Sequence, residues 1–110
     1  MSDAQINART KDDSVAFDLQ IASYLRATYP HTPIAESRFA TDIAAAREYA
    51  EYLGFRRDAH IVDIVEASFV RGGGIFHDPV FRHIVDRAVW GAEDKCRVIR
   101  ERFIHPMRKA

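Results

Sequence analysis

The chain has 110 residues, 47% of them hydrophobic, and its 16 basic side chains balance 16 acidic ones. That length is enough for one domain with a real core, and zero net charge argues against the broad positive field of a nonspecific nucleic-acid or anionic-membrane binder. Cys96 is the only cysteine, which excludes an internal disulfide scaffold, and no window approaches the eighteen or so apolar residues of a membrane span. The N-terminus shows no basic and apolar export pattern, so the expectation is a cytoplasmic protein.

Residues 1–13 read as a polar arm, with Asp12-Asp13-Ser14 offering a cap for a helix over 14–28 in which Phe17, Ile21 and Leu25 recur at helical spacing. Tyr29-Pro30-His31-Thr32-Pro33 stops it, because proline cannot donate to the ladder and disfavours α conformation in the residue before it. A second helix carries Phe39, Ile43, Ala46, Ala50 and Leu53 on one stripe and ends at Gly54. Asp58 is placed to cap a third, whose Ile61, Val65 and Phe69 row favours helix over strand despite its β-branched residues.

Three of the five glycines then fall together in Arg71-Gly72-Gly73-Gly74-Ile75-Phe76-His77-Asp78-Pro79. Consecutive glycines serve positive φ or close backbone approach, which predicts a shaped loop, with Ile75 and Phe76 as an apolar plug over the core. Asp78-Pro79 reads as an N-cap and first-position proline for a fourth helix carrying Phe81, Ile84, Val85, Ala88 and Val89 and ending at Gly91. A last helix over Lys95–Ile104 turns Cys96, Ile99 and Phe103 inward, and His105-Pro106 closes the fold. The expectation is an all-α, single-domain irregular bundle of about five helices over 1–110. Its core list is Phe17, Ile21, Leu25, Phe39, Ile43, Leu53, Ile61, Val65, Phe69, Phe76, Phe81, Ile84, Val85, Ile99 and Phe103.

Charge is uneven along the chain: residues 1–81 carry 8 basic and 12 acidic side chains, and residues 82–110 carry 8 and 4. A solvated basic last helix explains the second half. Asp42, Glu48, Glu51, Asp58, Asp63 and Glu66 on helices two and three could form an acidic face for a protein partner. With Ile75 and Phe76 of the loop, Asp42, Glu48, Glu51, Asp63 and Glu66 are the candidate partner-binding residues.

Catalytic patterns are weak. His60 with Asp63, and His83 with Asp86, each place an imidazole and a carboxylate on one helical face, but a metal site needs three or four converging ligands. His77-Asp78 invites comparison with the metal-dependent HD phosphohydrolases, yet Asp78 precedes proline and looks like a cap. The Arg-then-His spacing of HEPN-type ribonucleases occurs as Arg26/His31, Arg71/His77 and Arg100/His105; with 13 arginines and five histidines, chance supplies about two such pairs. The triple glycine could cradle an anion at the start of helix four, but a carboxylate at that cap would repel one. No cofactor, metal or catalytic residue is expected, and an enzyme of either type is the alternative reading.

The chain resembles a group of small helical proteins encoded beside effectors of bacterial type VI secretion systems. The resemblance covers about 17–104 and rests on Phe17, Tyr24-Leu25-Arg26, Tyr29-Pro30, Ala46, Tyr52-Leu53-Gly54-Phe55 and the tract from Val65 through Gly73-Gly74-Ile75-Phe76-His77-Asp78-Pro79. That family has a Gly-Pro-x-Phe-Asp-x-x-Pro turn where this chain has Gly74 in place of proline and a shifted Asp78-Pro79. The resemblance implies a non-catalytic protein–protein interaction module, an adaptor, chaperone-like or immunity protein for a secreted effector toxin.

Overall fold

The computed structural model describes residues 10–109, so most of the expected N-terminal arm lies outside the described residues. The fold is all-α, as the periodicity predicts, with five α-helices, counting the unbroken run from Ala92 to Lys109 as one, and no strand among the described residues. The chain divides into two compact units, residues 1–44 and 45–110, with the boundary inside the second helix.

In the first unit, α1 (Lys11–Thr28) opens three residues earlier than Asp12-Asp13-Ser14 suggests. Thr10 is the cap: its hydroxyl accepts from the Asp13 amide at 3.0 Å, and Asp12 and Asp13 fall in the first turn, where negative charge favours the helix dipole. Phe17, Ile21, Ala22 and Leu25 are buried. At the other end the Tyr29 amide bonds the Leu25 carbonyl at 2.9 Å, the Thr28 hydroxyl donates to the Tyr24 carbonyl at 2.8 Å, and Pro30 prevents continuation. Arg26 joins this helix to the start of α2 (Glu36–Tyr52), donating to Glu36 at 2.6 Å and lying 4.8 Å over the Phe39 ring.

The second unit begins in α2 and is punctuated by glycine. After α2, Gly54 takes φ 97°; its amide bonds the Glu51 carbonyl at 3.0 Å while the Phe55 amide reaches back to Ala50 at 3.1 Å. These two bonds make a Schellman motif, completed by buried Phe55 and Ala50. The same motif ends α3 (Asp58–Val70): Gly72 and Gly73 have φ 65° and 88°, with their amides on Phe69 and Ser68 at 3.2 and 2.9 Å. Asp58 stands inside the first turn of α3, with Arg57 at the cap position, so its charge serves the dipole.

A 3₁₀ turn (Gly74–His77) leads into α4 (Pro79–Val85), where Asp78 caps as the sequence predicts, accepting from the Val80 and Phe81 amides at 2.8 and 3.3 Å. The expected run to Gly91 is not made: α4 stops at Val85, and Ala88 and Val89 lie in an exposed turn. Lys95 explains the stop, because its Nζ donates to the Val85 carbonyl at 2.8 Å, the acceptor that a continued helix would offer to Val89. Arg87 then stacks 4.6 Å over the Trp90 ring and fixes the turn.

The last helix is longer than the predicted Lys95–Ile104. α5 (Ala92–Ile99) runs without a break through a π turn (Arg100–Ile104) into α6 (His105–Lys109), so His105-Pro106 does not close it. The π turn is defined by the His105 amide bonding the Arg100 carbonyl five residues back. Pro106 has no amide hydrogen and its ring would crowd the carbonyl of Arg102; a wider turn just before it relieves that clash.

Within this unit α3 packs against α5, the π turn and the 3₁₀ turn, and α4 packs against α5 and the 3₁₀ turn. The interior holds Ile61, Ile64, Val65, Ile75, Phe81, Ile84, Cys96, Ile99, Phe103 and Ile104. Of the expected core, Leu53, Phe69, Phe76 and Val85 are only half-buried. No helix among the described residues is long and apolar enough to cross a membrane.

Candidate functional site

The second unit offers two constellations, a polar seam between α3 and the last helix and an aromatic surface where α2 meets the glycine-rich loop. The seam is built by residues three apart on α3. His60, itself buried, places Nε2 2.9 Å from Glu93; Asp63 accepts from Arg100 at 2.7 Å; and Glu66, 1% exposed, accepts from Nε and Nη2 of Arg108 at 3.0 and 2.9 Å. Cys96 lies among them with its thiol on the His60 carbonyl at 3.8 Å.

Protonation follows from these contacts. Burial pushes the Cys96 thiol up to about 12, with the nearby Asp63 charge adding to it, which makes it a poor nucleophile. Burial also raises Asp63 from its ordinary value, against the opposing hydrogen bond and charge of Arg100, and the Asp63 bond raises the Arg100 guanidinium in turn. Glu93 moves the other way, lowered by its hydrogen bond with His60 and by the charge of that ring. Each of these groups faces a partner across the seam, so its chemistry is that of an internal ion-pair network.

This placement corrects the expected acidic face. Asp63 and Glu66 point into the seam and are paired with arginines. Glu51 is half-buried and accepts from the buried Arg47 at 2.7 Å. Asp42, in the first unit, and Glu48, in the second, are exposed, each 3.9 Å from a neighbouring arginine, Arg38 and Arg47. Sequence spacing missed the Arg100 and Arg108 partners because they reach α3 from more than thirty residues away; the Arg47–Glu51 pair, four residues apart on one helix, was open to spacing alone.

The expected His-carboxylate pairs are also replaced. His60 bonds Glu93 in place of Asp63, and His83 lies 3.0 Å from Arg87 Nη2 in place of Asp86. No group of three or more His, Cys, Asp or Glu among the described residues could hold a metal ion. In the His77-Asp78 dyad the carboxylate caps α4 and accepts from Arg71 at 3.3 Å. All three arginines of the Arg-then-His pairs are bonded to carboxylates, Arg26 to Glu36, Arg71 to Asp78 and Arg100 to Asp63.

The aromatic surface starts in the core and ends in solvent. Phe103 packs edge-on to Phe81 at 6.3 Å, Phe81 to Phe76 at 5.7 Å, Phe76 lies 4.4 Å from Tyr49, and Tyr49 lies 5.9 Å from Tyr52. Tyr52 is 83% exposed, whereas Tyr49 and Phe76 are half-buried. The two halves of the expected loop plug divide: Ile75 is wholly buried and holds the loop down, and Phe76 carries the aromatic row outward. Glycine makes this possible, since the positive φ of Gly72 and Gly73 turns the chain back within two residues of α3. The signal in the sequence was Tyr52 itself, which falls off the Phe39, Ile43, Ala46, Ala50 stripe and therefore faces away from it.

No family model matches the chain, and neither a curated protein nor a solved structure matches it.

Proposed function

We propose that this chain is a non-catalytic protein–protein interaction module that serves a secreted bacterial effector toxin as an adaptor, chaperone-like or immunity protein in the cytoplasm. The observation that carries the interaction reading is the Tyr52, Tyr49 and Phe76 surface: a large ring held out in solvent on a helix end, backed by two further rings anchored to the core. Exposed tyrosine on a rigid support supplies contact area at low entropic cost, the usual make-up of an interface hot spot. The link to an effector rests on the resemblance of Phe17 to Ile104 to proteins encoded beside type VI secretion effectors.

The test is co-expression of the tagged chain with the products of its neighbouring genes, followed by mass spectrometry of what copurifies. The reading expects a stoichiometric partner whose recovery falls at least tenfold with Tyr52→Ala, the loss of about 1.4 kcal/mol or more that a hot spot implies. Rescue of growth against that partner identifies an immunity protein, and secretion that depends on the chain identifies an adaptor. A chain that purifies alone, or a partner indifferent to Tyr52, refutes the reading.

A further inference from the structure

The chemistry of the aromatic surface specifies the kind of side chain it receives. Three other rings of this protein are already covered by its own arginines: Arg26 lies 4.8 Å over Phe39, Arg71 5.4 Å over Phe103 and Arg87 4.6 Å over Trp90. Among the described residues no guanidinium covers Tyr49 or Tyr52, although Tyr52 is the most open aromatic side chain of the molecule's exposed large apolar residues. A ring face carries negative quadrupole charge and attracts a cation laid over it.

The surroundings add to that field. Tyr52 is the last residue of α2, at the helix end that carries partial negative charge, and the last turn of α2 contains no basic residue. Glu48 lies one turn before Tyr52 with its side chain 72% exposed and its nearest arginine nitrogen at 3.9 Å, beyond hydrogen-bond reach. Arg47, which approaches both Glu48 and Glu51, is buried and cannot stack on the outer ring. Helix ends ordinarily gather lysine or arginine in the last turn; here that turn holds Glu51 and the two tyrosines, and the next basic residues, Arg56 and Arg57, come only after the Gly54 stop.

We infer that the Tyr49, Tyr52 and Glu48 surface docks an arginine-bearing segment of a protein partner, with a guanidinium stacked on Tyr52 and bonded to the Glu48 carboxylate. The inference rests on the interaction reading above and names the chemistry of its partner. Arginine fits better than lysine because its planar cation stacks on the ring while its edge still offers donors to the carboxylate.

The test uses the purified 110-residue chain and a capped Arg-Ala-Ala-Arg peptide, followed by NMR of the tyrosine and phenylalanine ring protons, with a Gln-Ala-Ala-Gln peptide as the uncharged control. The expected result is saturable shifts of the Tyr52 and Tyr49 rings with the arginine peptide and none with the glutamine peptide. Tyr52→Leu keeps an apolar side chain but loses the ring face, and should weaken binding about fivefold; Glu48→Gln should weaken it severalfold and flatten its salt dependence. Both positions are exposed, so unchanged circular dichroism will show that the fold is intact. Equal shifts with both peptides, shifts confined to rings other than Tyr49 and Tyr52, or no shifts at millimolar arginine peptide overturn the inference. If the co-expressed partner is still captured through Tyr52 while the arginine peptide fails, the module reading stands and the cation inference alone is lost.

Discussion

Removing Arg108 should cost far more than its position near the end of the chain suggests. Glu66 sits on α3 with 1% of its surface exposed, and the Arg108 guanidinium meets both carboxylate oxygens. Breaking a buried pair from one side leaves a desolvated charge and costs about 3–5 kcal/mol in favourable cases. Arg108 is itself 42% exposed, so water partly screens the pair, and a value of about 2–3 kcal/mol is expected for Arg108→Ala. In urea unfolding followed by circular dichroism at neutral pH, with a slope of about 1 kcal/mol per molar, the midpoint should fall by about 2–3 M. The exposed Arg102→Ala on the same helix should fall within about 0.5 kcal/mol of the parent. Replacing both partners by leucine should recover most of the loss, because an apolar pair of similar size avoids the desolvation altogether. A midpoint for Arg108→Ala that matches Arg102→Ala would refute the reasoning, and would mean that the carboxylate is stabilised without its guanidinium.

In the glycine-rich loop, Ile75→Ala should cost about 3 kcal/mol by opening a cavity at a wholly buried site, and Phe76→Ala about 2, since its ring is only half-buried; thermal unfolding that ranks them in the reverse order would contradict the division of the plug. Cys96, with its thiol raised to about 12, should leave on the order of one thiolate in 10⁵ at neutral pH. It should therefore stay unreactive to a disulfide reagent in buffer and titrate fully in denaturant. Glu93 has a folded pKa below its ordinary value of 4.5 because of His60, so it stabilises the fold above that value and loses the contribution as pH falls through the lowered pKa. Urea midpoints of the parent and Glu93→Gln should accordingly differ at pH 6 and converge in strong acid; a gap that widens on acidification would reverse the sign.

The parts of the fold that were legible in the sequence are those set by neighbours within one turn. The Phe39, Ile43, Ala46, Ala50 stripe, the Gly54 stop and the Asp78-Pro79 cap all depend on local φ, capping and periodicity, and each is found. What failed depends on contacts made across the chain. α4 ends early because a lysine ten residues on takes its last carbonyl, and Asp63 and Glu66 look like surface acids until the π turn and α6 bring Arg100 and Arg108 over them. The aromatic site was half visible: Tyr52 could be placed off the stripe from spacing alone, but its link to Phe76 needed the loop to fold back.

Pro106 shows how a local rule can be outvoted and still leave its mark. Propensity alone ends the helix at His105-Pro106. A stop there would leave Glu66 without its guanidinium. The helix continues instead, and the extra residue in the π turn rotates everything after it by about 100° relative to the stripe of Cys96, Ile99 and Phe103. The inward position passes from Phe103 to Ile104, both buried, and one turn beyond Ile104 comes Arg108. The distortion that accommodates the proline is thus the same one that aims Arg108 at Glu66.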